Sequence, residues 1–471
     1  MHEITTKTIN IYLFINRFIL PLPNMPNDVI KLSEKAVEII TNFPKNTKIR
    51  VISHYDADGI TSAAIICKAL YRAGYDFHAT LMRNPFDKGL AKVSKEDNEL
   101  IIFSDMGSGQ IDTIEKMDCK SIIVDHHQYL KKTTSENVLQ INANLCEING
   151  NYEACGATMS FMLAKTLDSK NEELVPFAIA GATGDKQYIG NFRGLNKKIL
   201  DEALKTDFLK ESVEIKLYGE TLFDSLFYSV DPYYSGITGN NEGTLELFKN
   251  LKLEKNIKIR DLNGTQKRKL NSLLMLKLIE KGCEKNILDT VIRPRYFSNL
   301  LNCELERFAD LLDSCGKGGN RSLGLAICMD DKKAFDEAVK LEKEYKQKIL
   351  DELLELEKDG FKEKTGFRYF YSKDSSLGGV IGGIATNFIL DKEKPLFSIV
   401  KKDDEIHVSC RGNQHLVDKG LDLGFAMNEA AKKLNGHGGG HKIAAGATIN
   451  SDKEKDFLEI VNEIIVKQLK G

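Results

Sequence analysis

Four short segments of this chain carry the residue types of a divalent-cation site. His54-Tyr-Asp56-Ala-Asp58-Gly59 alternates an imidazole with two carboxylates directly after the apolar run 49–52, which Arg50 alone interrupts. At the end of a strand residues i, i+2 and i+4 point the same way, so His54, Asp56 and Asp58 are aimed at one spot. Asp105 follows the run Leu100–Ser104, Asp125-His126-His127 follows 121–124, and Asp185 closes a helical stretch behind Gly181 and Gly184. Each segment alone has a plainer meaning, because an aspartate after a strand is often only a helix cap. Four of them at the ends of one sheet are a different matter. Neighbouring parallel strands lie ~4.8 Å apart, so such endings can converge within ligand reach. Oxygen and imidazole donors without thiolates favour Mn²⁺ or Mg²⁺ over structural Zn²⁺. Two cations that share a carboxylate suit in-line phosphoryl chemistry, because both neutralise the charge that develops. These residues point to a two-metal phosphoesterase.

The elements that must position them are legible as alternating strands and helices. Strand-like runs at 49–53, 77–81, 100–104 and 121–124 are separated by helical stretches at 60–71 and 110–117. That alternation predicts βαβ units and a parallel sheet, whose ligands sit beyond the carboxyl ends of the strands. An entry helix is expected over 27–42, and 153–206 is mostly helical in pattern, including 155–167 and 174–182. The stretch 207–330 reads as a mainly helical insert with glycine-rich breaks near 235–243 and 315–319. Charge-dense 331–359 has apolar residues at helical spacing and predicts a long exposed connecting helix. Strands at 367–371, 397–401 and 405–410, helices at 382–390 and 423–434 and a final helix at 452–470 follow. The expected fold is therefore α/β: a parallel-sheet catalytic domain at 27–206, the helical insert, the connecting helix, and a smaller α/β domain at 360–471.

A chain of 471 residues is long for one domain, and its 42% hydrophobic and 28% charged residues are ordinary for a globular protein. The net charge of −2 gives no global attraction to polyanions, so nucleic-acid binding would need a local basic patch. Nine scattered cysteines, with no CxxC pair, fit reduced thiols in a cytoplasmic protein better than a disulfide framework. The apolar segment 9–23 is too short to span a bilayer and carries Arg17 in its middle. Residues 1–26 read as a disordered leader, with Met25 an alternative start, and no membrane association is expected.

A second cluster lies near the C-terminus. Ser409-Cys-Arg411 is followed by Gly436-His437-Gly438-Gly439-Gly440-His441. Consecutive glycines expose backbone N–H groups that can form an anion nest. Arg411 adds a fork matched to phosphate, and the two histidines add donors.

Taken together these motifs resemble those of the DHH phosphoesterase superfamily, in order and in spacing. The resemblance implies that His54, Asp56 and Asp105 hold one metal, and that Asp58, Asp105, His126 and Asp185 hold the other, with Asp105 as bridge. It places His127 beside the scissile phosphate as transition-state stabiliser or proton donor, and Asp125 behind the imidazoles as the group that orients them. The glycine–histidine segment resembles the DHH-associated C-terminal domain. That assigns Ser409, Arg411, His437, Gly438, Gly439, Gly440 and His441 to substrate binding. The Gly378-Gly379…Gly382-Gly383 pairs read equally as further phosphate contacts or as helix packing. Over a hundred residues separate the two halves, and the stretch 300–325 resembles archaeal RecJ-like nucleases.

That subgroup implies an exonuclease on single-stranded DNA or RNA that releases mononucleotides, with Mn²⁺ preferred over Mg²⁺. It acts in replication or repair and associates with the archaeal GINS and replicative-helicase complex. Digestion 5′→3′ is expected by analogy. Two alternatives stand beside it: an oligoribonuclease or cyclic-dinucleotide phosphodiesterase, against which the long middle region counts, and a replisome scaffold, against which the full ligand set counts. Basic residues at Arg293, Arg295, Lys317, Arg321 and 267–269, with Tyr296 and Phe297 as stacking platforms, are candidates for a strand groove.

Overall fold

A computed structural model describes residues 27–83, 86–219, 221–374 and 377–470. The leader expected at 1–26 lies outside the described residues. The chain divides into two compact units and passes between them at 213–214, 293–294 and 342–343.

The first unit takes the described residues through Val213 together with Pro294–Glu342. Helix α1 (Asn27–Thr41) leads to strand β1 (Lys48–His54), helix α2 (Ala57–Arg72) and strand β2 (Asp76–Met82). Then come α3 (Asp87–Val93), β3 (Leu100–Ser104), the short α4 (Ile111–Ile114), β4 (Lys120–Asp125) and β5 (Val138–Asn142). The five strands form one sheet in the order β2-β1-β3-β4-β5, and every pair is parallel. Strands β1, β3 and β4 are buried on both faces, which explains their apolar runs. Val51, Ile102, Ile122 and Val124 join the core under α2, α5 (Gly156–Leu167) and α6 (Val175–Gly184). Ile52, Ile101, Phe103 and Ile123 face the opposite core, with Leu90 and Ile114 from α3 and α4. Each fully buried side chain of this size contributes ~1.5–3 kcal/mol.

From β1 the chain winds outward to β2 and then returns to the other side of β1 for β3. The reversal between β1 and β3 is the crevice where open α/β sheets receive ligands. Register does the rest: Ser53 pairs with Ser104, and Ser104 with Val124. The next residue of each strand is His54, Asp105 and Asp125, so these three stand abreast at the carboxyl edge.

Helix α7 (Gly194–Lys205) ends the N-terminal part of the unit, and β6 (Leu209–Ile215) leads out of it. Helices α8 (Leu222–Phe227), α9 (Asn241–Leu251), α10 (Gly264–Glu280) and α11 (Lys285–Val291) follow, and β7 (Ile292–Ser298) leads back. The first unit is completed by β8 (Cys303–Glu304), α12 (Leu305–Lys317) and α13 (Arg321–Cys328). Phe308, Leu311 and Leu312 of α12 belong to the same core as Phe177 of α6. The long helix α14 (Lys332–Asp359) is not exposed all round: Ala334 and Ala338 join the first unit's core, and Ile349, Leu350 and Leu353 join that of the second.

The second unit carries a six-stranded sheet in the order β13-β14-β12-β11-β10-β9. Its strands are β9 (Lys362–Glu363), β10 (Arg368–Tyr371), β11 (Leu396–Lys402), β12 (Glu405–Arg411), β13 (His437–Gly440) and β14 (Ala444–Asn450). Only β10 and β11 pair in parallel. Between them runs α15 (Gly378–Ile384), and α16 (Gln414–Asp418), α17 (Leu423–Lys433) and α18 (Glu454–Lys470) complete the unit. Along β12 the burial alternates: Ile406, Val408 and Cys410 enter the core with α17 and α18, while His407, Ser409 and Arg411 take the other face.

Candidate metal centre

Each element delivers its donor for a local reason. Asp56 is the N-cap of α2: its Oδ1 accepts from Gly59 N at 3.0 Å, leaving Oδ2 at 2.8 Å from His54 Nδ1. One oxygen of this carboxylate thus caps the helix, and the other faces His54. Asp58 lies inside the first turn of α2 and both its oxygens accept from the N-terminus of α5, at 2.7 Å from Gly156 N and 2.8 Å from Ala157 N. Asp105 leaves β3 with φ +54°, a left-handed backbone that aspartate tolerates better than most residues. Asp185 is the C-cap of α6.

The donors converge. His126 Nε2 lies 3.2 Å from Asp105 Oδ1, 3.5 Å from Asp185 Oδ2 and 3.6 Å from Asp58 Oδ2. His54 Nδ1 lies 3.7 Å from Asp105 Oδ2. Two ligands at right angles on a Mg²⁺-type ion, each ~2.1 Å from it, stand ~3 Å apart, which is the spacing seen here. Three overlapping groups of donors each fit within 4.8 Å: His54, Asp56 and Asp105; Asp58, His126 and Asp185; and Asp105, Asp125, His126 and His127. Asp105 belongs to the first and the third, and His126 joins the third to the second.

These groups fit a divalent cation on three observations. Asp105 Oδ1 and His54 Nδ1 are buried without an aligned hydrogen-bond partner; His54 Nδ1 is at hydrogen-bond distance from Asp56 but not at its angle. Buried polar atoms left in this way need an explanation. The site is also short of positive charge. Burial and the charges of Asp58 and Asp56 push the Asp105 carboxyl well above its ordinary value, and burial with the Asp58 charge pushes Asp185 up to about 8. Burial disfavours a charged His126, yet Asp185, Asp58 and Asp125 raise it to about 9. The nearest thiol is no competitor, since burial and then the Asp58 charge drive Cys155 well above the usual range and keep it neutral.

A shell of further residues holds these donors. Asp125 accepts from Ser108 N at 3.0 Å, from His126 N at 2.8 Å and from His127 N at 3.1 Å, and its Oδ1 meets His127 Nδ1 at 2.8 Å. Burial would raise its pKa, but the contact with His127 and these N–H groups hold it below the carboxylate range. Bound in this way, Asp125 fixes His127 with Nε2 outward, and that ring is half exposed. His126 Nδ1 meets Gly150 O at 2.7 Å, which turns Nε2 to the carboxylates.

Several of these positioning residues were not foreseen. Asn142 donates to His127 O at 2.9 Å, Asn144 donates to His126 O at 2.9 Å, Gln187 donates to Gly150 O at 3.0 Å, and Asp313 accepts from Ala57 N at 2.8 Å. Asn142 ends the run 138–142 and Asn144 follows it, the same pattern of polar residues after a strand that marks the other segments. A Cβ on Gly156 would stand 2.5 Å from Asp105 Cβ, and one on Gly181 2.5 Å from Asp58 Oδ1, so both helices approach the cluster only as glycine.

Family models match the chain in three places: the DHH family N-terminal domain over residues 48–183, the DHHA1 domain over 366–467 and archaeal Cdc45 over 186–303. Uncharacterized protein MJ0831 of Methanocaldococcus jannaschii is 31% identical over 433 residues, which is 90% of this chain and 94% of that protein. The chain belongs to the DHH superfamily. Among solved structures, CDC45 from Entamoeba histolytica superposes with a TM-score of 0.62 at 12% identity, covering 92% of this chain and 99% of that one. RecJ from Thermus thermophilus, in complex with Mn²⁺, gives 0.57 at 16% identity over 95% of this chain. This DHH chain spans only 56% of that RecJ. At such identities the likeness is one of fold. The architecture is RecJ-like: a parallel-sheet DHH domain, a helical middle and a C-terminal sheet domain.

In the second unit the expected anion nest takes another form. Residues 437–440 are an edge strand, β13, paired antiparallel with β14, and not a turn of alternating handedness. Two of its glycines are there for packing: a Cβ on Gly438 would stand 2.4 Å from Met427 O in α17, and Gly440, at φ +139°, would meet Ala445. Gly439 opposes Gly446, which opposes Ser409, so these three form one row across the sheet, and His437 opposes Thr448 beside His407. Arg411 is half-buried with Nη1 donating to Cys410 O at 2.9 Å. Its guanidinium would meet a Cβ on Gly379 at 2.8 Å, so the glycines of α15 make room for Arg411. His441 is exposed beyond the strand.

Two strand-groove candidates are withdrawn by burial. Arg295 is 3% exposed and paired with Glu306, and Tyr296 is 9% exposed against Phe192. Neither can meet a base. Lys317 is tied to Asp313 at 2.6 Å.

Proposed function

We propose that this protein is a metal-dependent phosphodiesterase that degrades single-stranded DNA or RNA from an end, releasing mononucleotides. The observation that carries the reading is the convergence of His54, Asp56, Asp58, Asp105, His126 and Asp185 around a common point, with Asp105 and His126 each facing two groups of donors. Bound Mn²⁺ or Mg²⁺ would neutralise phosphate charge there and lower the pKa of a water nucleophile.

The chain's own residues supply the rest. His127 is raised to about 9 because, although burial opposes its charge, the Asp125 hydrogen bond and the charges of Asp105 and Asp125 outweigh burial. Its Nδ1 is held by Asp125, so Nε2 faces outward, placed to stabilise or protonate a phosphate oxygen. Asp125 positions it. In the second unit Ser409, Arg411, His437 and the row through Gly439 present donors on one sheet face, fitted to a phosphate or nucleotide. Polarity 5′→3′ and action in replication or repair complete the reading by its likeness to RecJ.

A second reading, a replication-complex subunit that binds GINS, is favoured by the archaeal Cdc45 match over 186–303. End-labelled single strands, cyclic dinucleotide and pyrophosphate, each incubated with Mn²⁺, separate the two. A ladder of shortened strands supports the nuclease. Cleavage of dinucleotides alone restricts it to small substrates, and absence of hydrolysis with retained partner binding leaves the scaffold.

A further inference from the structure

From the end of α9 to the second turn of α10 the second unit departs from the charge balance of the whole. Residues 249–269 carry eight cations against Glu254 and Asp261 alone, a net of +6 in a chain whose total is −2. Packing sorts the segment into two faces. Phe248, Leu253, Ile257 and Ile259 turn toward the core of the second unit. The cations that alternate with them are left exposed, and only Lys267 is partly covered.

Few of these charges are matched. Lys267 faces Glu214 at 3.6 Å, Arg260 faces Asp261 at 3.9 Å, and Lys255 lies over the Phe223 ring at 5.1 Å. Arg268 bonds only Thr265 Oγ1, at 3.3 Å. Among the described residues Lys249, Lys252, Lys258 and Lys269 have no carboxylate within ion-pair reach. Lys249 and Lys252 at least stand at the C-terminus of α9, where the helix dipole favours a cation. Residues 267–269 do not: they follow the first turn of α10, which holds no acid, so they set positive charge near the positive end of that helix. Lys258 and Arg260 border a cleft of about 340 Å³ opposite Gly219.

The face also lacks what a protein partner would grip, since no large apolar side chain is exposed within 249–270. Protein interfaces are anchored by buried aromatic and apolar groups, and lysine is depleted in them. A nucleic-acid backbone needs only cations, which displace its counterions and read no sequence. We propose that residues 249–269 form a phosphate-backbone surface in the second unit, on elements other than those of the metal donors, that holds nucleic acid without regard to sequence. It is the local basic patch that a chain of net charge −2 needs in order to hold a polyanion. That the nucleic acid is also the substrate rests on the nuclease reading; the surface does not.

The test is binding of a long labelled single strand, and of a duplex, to the full chain in EDTA, followed by anisotropy over a range of salt. The variant combines Lys258→Gln, Arg268→Gln and Lys269→Gln, three exposed side chains. It should melt at or above wild type, because two of the three charges burden the start of α10. Each phosphate contact on a single strand adds about 0.7 to the slope of log affinity against log salt, hence about fivefold in affinity at about 0.1 M salt. The variant should therefore bind about a hundredfold more weakly, with the slope reduced by about 2. Lys258→Arg with Lys269→Arg, which keeps the charge, should bind like wild type, and so should a chain with Lys455, Lys467 and Lys470 of α18 all changed to Gln. A loss on the single strand alone assigns the strand itself, and an equal loss on the duplex assigns a paired flank; both support the surface. Wild-type affinity and slope in the triple variant, an equal loss in the α18 control, or a wild-type chain that binds neither nucleic acid overturns the proposal. Labelled polyglutamate bound as tightly as the strand, with the same loss in the variant, overturns it in favour of an acidic protein. Hydrolysis in Mn²⁺, measured in parallel, keeps the two readings apart: binding that depends on these cations in a chain that does not hydrolyse removes the nuclease and leaves the surface standing.

Discussion

Replacing Asp105 by Asn should make the cation-free protein more stable and the Mn²⁺-loaded protein less so. Asn matches the shape of Asp and tolerates the left-handed backbone at φ +54°, so the change is one of charge. Asp105 is 2% exposed and stands within 4.8 Å of Asp56. Like charges at that distance repel by about 3.5 kcal/mol at an effective dielectric of ~20. Linkage sets a ceiling. A carboxyl raised in the folded state adds stability that is whole below its ordinary 3.8 and is lost as pH rises, so by pH 7 the loss is at most about 4 kcal/mol. Asn escapes that loss. The variant should therefore melt above wild type in EDTA at pH 7, by the equivalent of about 1–3 kcal/mol, and the gap should close toward pH 4.

Mn²⁺ reverses the order. At a hundredfold excess over Kd the ion adds about 2.7 kcal/mol to the wild type. A hundredfold weaker site gains only about 0.4 kcal/mol at the same concentration. Calorimetry of both proteins in EDTA and in Mn²⁺, from pH 4 to 8, reads all four quantities. A variant that melts at or below wild type in EDTA, or that gains as much from Mn²⁺, would show that Asp105 is not the charge shared between donor groups.

Gly156→Ala forces a Cβ to within 2.5 Å of Asp105 and should abolish the Mn²⁺-dependent rise in melting temperature while leaving far-ultraviolet circular dichroism unchanged. Metal affinity should strengthen as pH rises from 6 to 9, because Asp185, at about 8, and His126, at about 9, must release protons to serve as ligands; titration calorimetry in two buffers counts those protons. Arg411→Ala should raise KM for a single strand about tenfold with little change in kcat, in line with one lost charge-assisted contact; an equal fall in kcat would place Arg411 in the chemical step.

What was legible in the sequence, and what was not, follows from how far each signal reaches. Strands β1, β3 and β4 are short, doubly buried and bounded by polar residues, so their apolar runs and the donors at their ends were plain. Strand β5 escaped because Val138-Leu-Gln-Ile-Asn142 mixes Gln140 into its apolar pattern. The helix α14 is placed to within one residue, but its burial escapes a sequence reading because its apolar stripe is divided between two cores. The segment 437–440 reads as an anion nest on composition, and the contacts that make it a strand, with Met427 and Ala445, come from elsewhere in the fold. Arg295 looked like a basic groove residue because its partner, Glu306, is eleven residues away and on another element. Charge in sequence says nothing of pairing in space.

The hydrogen bond from Ala57 N to Asp313 joins residues 256 positions apart. The first turn of α2, which carries Asp58, is thus anchored by a helix that the ribosome makes only after the intervening elements α8–α11. A nascent chain that has released every metal donor through Asp185 still lacks α12 and α13, the pieces that close the domain around them. Assembly of the site must wait for translation to pass the whole excursion into the second unit, and loop closure over that distance is slow. A fragment cut after residue 213 would contain all six donors and lack the part of the fold that keeps them in register.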